Sequence, residues 1–203
     1  MQILIIIFLF LIVLVLIFLL LVFLLFTFDA FLDLPYVATK REKIPTIIKL
    51  ANIKSGDIAV DLGSGDGRLL FAAAKSGARA IGYEVNPLLV LFTCLKAFIL
   101  SLRGALRFHS GRRSNLNRKI DRFTSFAMTG QVTVHRQDLW EANLKEADII
   151  FVYGRAKTMP RFEKFVYQNV KKGTRIIVNT DLTNPFPTKK PLKSENGIFF
   201  YKV

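Results

Sequence analysis

Hydrophobic positions along the chain change period several times, and each change marks an element. Ile3 to Phe26 is an unbroken apolar run. At about 1.5 Å per residue its roughly 24 residues span about 36 Å, enough to cross a bilayer's hydrocarbon core with some tilt. A short acidic-aromatic stretch, Asp29 to Leu34, follows, and then "PYVATKREKIPTIIKLANI". In that segment Thr39 with Glu42 has the spacing of a capping box, while Pro45 falls too deep for a helix capped there. Either a first turn stands apart or the helix begins later, over the helically spaced apolar residues of "IPTIIKLANI".

Beyond this point short apolar runs alternate with amphipathic ones. "DIAVDLG", "ARAIGYE", "VTVHRQD", "ADIIFVYG" and "TRIIVNT" predict five strands. "RLLFAAAKSG" predicts a helix stopped at Gly77, and "MPRFEKFVYQNV" predicts a later one. "PLLVLFTCLKAFILSL" reads as a long apolar helix with Pro87 at its first position. At about 16 residues, and broken by Lys96, it suits a core helix better than a second membrane span. Arg103 to Gln131 shows no period and is read as a basic loop insertion with a short helix. The chain closes on "KPLKSENGIFFYKV", where Asn196-Gly197 between strand-like runs signals a hairpin.

Alternating strands and helices imply a parallel sheet covered on both faces, with the closing hairpin as an antiparallel edge. The expected organisation is a membrane anchor over residues 1–28, a linker and pre-domain helix over 29–55, and an α/β domain over 56–203 that carries the 103–131 insertion.

Charge adds an orientation. The 203 residues hold 29 Lys and Arg against 15 Asp and Glu, a formal net charge of +14, and every Lys and Arg lies after Thr39. By the positive-inside rule the N-terminus faces outward and the domain the cytoplasm. A cleaved signal peptide would carry a basic start, a shorter apolar core and a small-residue cleavage site, which this run lacks. The basic excess suits anionic headgroups, and no nucleic-acid-binding motif accompanies it. Arg103, Arg107, Arg112, Arg113, Arg118, Lys119 and Arg122 either hold the domain to anionic lipid or an acidic partner, or form a solvated insertion. Cys94 is the single cysteine, so neither a disulfide framework nor a Cys-based metal site is expected. His109 and His135 are isolated and read as structural or surface residues.

The candidate chemistry lies in "VDLGSGDGRLL". Gly63, Gly65 and Gly67 fall between the first strand and its helix, at the carboxyl end of the strand, where ligands bind in open α/β sheets. Asp61 closes the strand before the loop. Glu84 ends the second strand, where an acid accepts hydrogen bonds from ribose hydroxyls, and Asp138 follows the third, within reach of an adenine amino group. A dinucleotide fingerprint needs its third glycine where Arg68 stands, and a P-loop needs Gly-Lys-Ser/Thr. Asp61 beside the loop opposes a pyrophosphate and suits a cationic amino group. That combination fits S-adenosyl-L-methionine.

"VDLGSGDGR", "GYEVNP" and "QDLW" resemble the successive motifs of class I, seven-stranded S-adenosylmethionine-dependent methyltransferases, over about Gly56 to Val203. "PYVATKREKI", "GYEVNPLLV", "DLW" and "NPFP" resemble more closely the protein-lysine N-methyltransferases that modify the ATP synthase c-subunit and the adenine nucleotide translocator. The resemblance implies a Rossmann-like seven-stranded sheet with a C-terminal antiparallel hairpin. It also implies a cofactor site of Asp61, Gly63, Gly65, Glu84 and Asp138, joined by the motif residues Ser64, Asp66, Gly67, Asn86 and Leu139. Tyr36 would lie near the cofactor and substrate channel. Tyr153, ending the fourth strand, shapes an acceptor pocket or fills core, and Trp140 flanks the adenine or fills core. "NPFP" follows the fifth strand rather than the fourth and is read as a turn, not as a signature of adenine or glutamine methylation. The implied activity is membrane-anchored methyl transfer to a membrane-associated protein lysine. A small-molecule or lipid acceptor, or a cofactor-binding scaffold without catalysis, are the alternatives. No metal is implied, and no catalytic base is named.

Overall fold

The computed structural model describes residues 2–28, 38–108 and 131–203, with the side chains of 24–28 and 102–108 excepted. The chain divides into two compact units, Met1–Tyr36 and Val37–Val203. The first holds one helix, α1 (Gln2–Phe28), without a charged residue. Its stretch Gln2–Phe23 is long and apolar enough to cross a membrane, and its side chains are exposed apart from a half-buried Val22. Tyr36 and the linker Asp29 to Leu34 lie outside the described residues.

The second unit opens with a single 3-10 turn, Arg41–Lys43, which leads into α2 (Ile44–Ala51) with Pro45 in its first turn. The turn therefore stands apart and the helix starts later, as the position of Pro45 requires. The capping box is not made: no side chain caps the 3-10 turn or α2, and the Thr39 hydroxyl turns instead to Asn179, 140 residues away. Arg175 receives the end of α2, its guanidinium donating to the Ala51 carbonyl at 2.8 Å and pairing with Asp57 at 2.7 Å.

Five strands follow in the expected places: β1 (Ile58–Leu62), β2 (Arg79–Glu84), β3 (Val132–Arg136), β4 (Ile149–Tyr153) and β5 (Arg175–Asn179). Helices α3 (Arg68–Lys75), α4 (Pro87–Phe108) and α5 (Met159–Asn169) lie between them in sequence. The hairpin β6 (Lys193–Glu195) and β7 (Ile198–Lys202) turns through Asn196 and Gly197, both at positive φ. The sheet order is β3-β2-β1-β4-β5-β7-β6. The first five strands run parallel, and β7 pairs antiparallel with β5. The strand order reverses between β1 and β4, the point whose carboxyl ends bind ligands in open α/β sheets.

The core is a continuous apolar cluster. Ile47 and Ala51 of α2 join Leu70 and Ala73 of α3, Ala59 of β1, Ile149 and Phe151 of β4, and Ile198 of β7. Four of the five residues of β1 and β4 are buried, which explains why their sequences are near-continuous apolar runs rather than alternating ones.

One helix departs from expectation. α4 extends to Phe108, into the segment read as an insertion, so the backbone of Arg103 and Arg107 is helical. Arg112, Arg113, Arg118, Lys119, Arg122 and His109 lie outside the described residues. The helix is also only half core: Thr93, Cys94 and Ala97 are buried, whereas Leu91, Phe92, Leu95, Phe98 and Ile99 are exposed.

Candidate functional site

Three glycines at left-handed φ carry the chain from β1 to α3: Gly63 at 86°, Gly65 at 55° and Gly67 at 73°. Residues with a Cβ rarely adopt these angles, so the sequence pattern is a backbone requirement. The loop folds over the end of β2. The amides of Gly63 and Ser64 both donate to the Tyr83 carbonyl at 3.0 Å. Thr93 of α4 closes the other side, its hydroxyl donating to the Gly65 carbonyl at 3.2 Å. A Cβ on Gly67 would lie 2.5 Å from Thr93 Cγ2, so α4 packs directly on the bare backbone.

Glu84 is the fastener of this loop. Its Oε2 accepts the Gly65 amide at 2.8 Å and its Oε1 accepts the Asn86 amide at 2.9 Å, with the side chain only 8% exposed. Both oxygens thus hold backbone. Asn86, also buried, accepts the Leu88 amide at 2.9 Å and so caps the start of α4.

Asp61 differs from Glu84. It is 6% exposed, and among the described residues no donor satisfies its carboxylate. Burial, then the charge of Glu84, then that of Asp66 push its pKa well above the usual carboxylate range. The Ser64 hydroxyl nearby in the loop is likewise buried with no partner. Ser64 sits over Gly82 of β2, where an added Cβ would come 2.6 Å from Ser64 Oγ and 2.6 Å from Leu70 Cδ1. An unpaired buried acid and an orphaned hydroxyl are costly in a resting core, and they cluster here at the strand ends.

Asp66 points elsewhere. Arg68 grips it through two nitrogens, at 2.8 and 2.7 Å. Burial alone would raise its carboxyl, but the hydrogen bonds and charge of Arg68 outweigh it and hold the pKa low. Asp138 is exposed and starts a 3-10 turn, Leu139–Glu141, by accepting the Trp140 amide at 3.0 Å through Oδ1. Its other oxygen has no partner among the described residues. Leu139 comes against Gly63, 3.8 Å from where a Cβ would be. Trp140 is half-buried: its ring meets Phe162 at 4.6 Å and Phe165 at 5.6 Å on α5, under the Arg161 guanidinium at 3.9 Å. His135 stacks on Tyr83 with ring centroids 5.3 Å apart.

A strap that the sequence does not announce crosses the strand ends. The Thr39 carbonyl accepts from Arg68 Nη1, and its hydroxyl is 3.5 Å from Asn179 Nδ2 at the end of β5. Lys43 Nζ donates to Asn179 Oδ1 at 3.2 Å and to Asp181 Oδ1 at 3.4 Å. Thr39 and Asn179 are both buried. The one signal available was Asn179 itself, a polar residue closing an apolar strand. Tyr153 ends β4 beside Asn179 in register and is half-buried. Burial, with the Asp181 charge adding and Arg155 opposing, raises its pKa, so it is a neutral phenol at physiological pH. Asp61, Ser64 and Glu84 are therefore gathered at the loop, with Leu139 against it. Tyr153, Asn179 and Asp181 gather at the ends of β4 and β5. Among the described residues no group of His, Cys, Asp and Glu is placed to hold a metal ion.

This sheet order, with the glycine loop at the end of β1, defines the class I methyltransferase fold. The same fold is found in an RNA methyltransferase from Salinibacter ruber in complex with S-adenosyl-L-homocysteine, at a TM-score of 0.58 and 22% identity over 82% of this chain and 94% of that one. Among curated proteins the chain is similar to the ATP synthase c-subunit lysine N-methyltransferase of Xenopus laevis, 29% identical over 160 residues, 79% of this chain and 58% of that one. It is also similar to the adenine nucleotide translocase lysine N-methyltransferase of Mus musculus, 28% identical over 162 residues, 79% of this chain and 58% of that one. The chain spans a little over half the length of these relatives. No protein-family model matches it.

Proposed function

We propose that the chain is an S-adenosylmethionine-dependent methyltransferase held to a membrane by α1, and that its acceptor is a protein lysine. The observation that carries the cofactor reading is Asp61, a buried acid without a partner among the described residues, set among further acids beside a bare glycine backbone. A pyrophosphate would add negative charge to Asp61, Glu84 and Asp66. S-adenosylmethionine brings an ammonium and a sulfonium instead, so the residues fit it.

In this reading Asp61 takes the amino group of the methionine end, and the ligand's charge relieves the carboxylate repulsion. Glu84 receives ribose hydroxyls while holding Gly65 in place. The free oxygen of Asp138 faces an adenine amino group, and Leu139 covers the loop at Gly63. Gly63, Gly65 and Gly67 let the ligand approach the backbone, and Ser64 donates its unused hydroxyl. Asp66 and Asn86 contribute through Arg68 and through the α4 cap. The bound cofactor supplies a methyl group on a positive sulfur, already activated for displacement. The chain's part is to align the acceptor and exclude water, which Tyr153, Asn179 and the Thr39–Lys43 strap do at the ends of β4 and β5. A lysine amine loses its proton to solvent or to a nearby carboxylate such as Asp181, so no dedicated base is required.

Support for a lysine acceptor comes from the two lysine methyltransferases named above. Support for the anchor comes from the length and composition of α1, and the positive-inside rule sets the domain on the cytoplasmic side. The test is to incubate the full chain with membranes and S-adenosylmethionine labelled on its methyl group, beside Glu84→Ala. Labelled protein bands that the variant fails to produce are expected. Label confined to the lipid extract, or equal labelling by the variant, would overturn the lysine reading and the site in turn.

A further inference from the structure

α4 is apolar on two opposite sides. Thr93, Cys94 and Ala97 face the sheet, at 0%, 5% and 2% exposure. Leu91, Phe92, Leu95, Phe98 and Ile99 are 43–54% exposed. At about 100° per residue these five fall within an arc of about 120°, centred opposite the buried three. An exposed stripe of five large apolar side chains needs an occupant. Solvated surface helices carry charge at such positions, and the single charge between Leu91 and Ile99 is Lys96, which leans away over the Phe71 ring at 4.5 Å.

We propose that this face of α4 docks on an anionic lipid surface, lying in the plane of the interface with Leu91, Phe92, Leu95, Phe98 and Ile99 dipping below the headgroups. Two facts select lipid over protein. The first is charge: α4 carries Arg103 and Arg107 towards its end and leads in sequence into Arg112, Arg113, Arg118, Lys119 and Arg122, with Asp121 the one acid among them. Apolar side chains followed by clustered cations are the composition of an interfacial helix, whose binding adds buried apolar area to attraction for anionic headgroups. The second is proximity. Eight residues, 29–36, separate α1 from the second unit in sequence, and at about 3.3–3.6 Å each they reach at most about 29 Å. A domain on so short a tether meets the bilayer continually. This second fact rests on α1 spanning the membrane, as proposed above, whereas the first does not.

The experiment uses the full chain in vesicles of phosphatidylcholine with phosphatidylserine. An environment-sensitive fluorophore is attached at Leu95→Cys in a Cys94→Ala background, with Lys172→Cys as the reference position. The readout is quenching by nitroxide carried on the lipid chains near the headgroups. The expected result is loss of most of the emission at position 95 and little at 172. Adding Phe92→Asp and Phe98→Asp should reverse the quenching while S-adenosylhomocysteine binding stays unchanged, which reports an intact fold. Emission at 95 that is unquenched and water-like overturns the proposal. So does emission that is shielded yet unquenched, the signature of a second copy or another protein on this face. Alkaline carbonate extraction of the same samples reports the α1 anchor separately. A chain that washes off yet is quenched at 95 upholds the docking face and sinks the anchor.

Discussion

Glu84→Gln separates holding the loop from holding a ligand. The substitution keeps the side chain's size and one acceptor oxygen. The other oxygen becomes an amide NH2 facing a backbone N–H, either Gly65 at 2.8 Å or Asn86 at 2.9 Å in the wild type. One charge-assisted hydrogen bond is lost, worth about 1.5–3 kcal/mol, and a buried donor is left facing another donor. Removing the charge also relieves Asp61, whose pKa Glu84 helps to raise, and this offsets part of the loss. A net destabilisation of about 2 kcal/mol follows, or a fall in Tm of about 4–8 °C for a domain of this size. The second effect is on the ligand. A ribose hydroxyl that loses a charged acceptor forfeits a similar energy, so the Kd for S-adenosylhomocysteine rises about 10–100-fold. Thermal unfolding without ligand measures the first, and titration calorimetry the second. A variant that melts with the wild type and binds as well as the wild type would refute both roles. One that melts low yet binds normally would leave Glu84 as a loop fastener alone.

Asp61→Asn should act in the opposite direction on stability. The wild-type carboxyl has a raised folded-state pKa, so its contribution is full below the unfolded value and is lost as pH rises through the folded one. The variant is therefore more stable than the wild type at neutral pH, with the gap closing towards acid, while S-adenosylmethionine affinity falls; melting across pH and calorimetry check the pair. In the wild type, affinity for the cationic ligand should itself rise with pH through the same range. Gly82→Ala drives a Cβ to within 2.6 Å of Ser64 Oγ and Leu70 Cδ1, which costs about 1–3 kcal/mol and displaces the loop, so Tm and cofactor affinity fall together. Lys43→Met removes the donor to buried Asn179 Oδ1, for a loss of about 1–3 kcal/mol in chemical denaturation and faster proteolysis near Thr39.

The sheet was legible because its signals are local. Apolar runs marked β1, β4 and β5, the glycines at 63, 65 and 67 marked a turn that needs left-handed backbone, and Asn196-Gly197 marked the hairpin. What was not legible depends on partners distant in sequence. Thr39 with Glu42 has a capping-box spacing, but the hydroxyl is claimed by Asn179 across 140 positions. Glu84 reads as a ligand acceptor from its place at the end of β2, yet nothing local shows that both its oxygens also carry backbone amides. The end of α4 escaped notice because the apolar period that reveals a helix gives way to Arg and Ser before the helix stops at Phe108. Its second apolar face escaped for a different reason: an apolar helix reads as core until its neighbours are known.

The most direct test of methyl transfer to lysine is stoichiometric. The full chain is incubated with acceptor membranes and S-adenosylmethionine, and two products are quantified in one mixture: S-adenosylhomocysteine, and methyllysine after complete protein hydrolysis. One S-adenosylhomocysteine for each methyl group found on lysine, counting mono-, di- and trimethyllysine as one, two and three, with both abolished in Glu84→Ala, is the result predicted. S-adenosylhomocysteine formed without methyllysine, or neither product formed by a chain that still binds the cofactor, would contradict it.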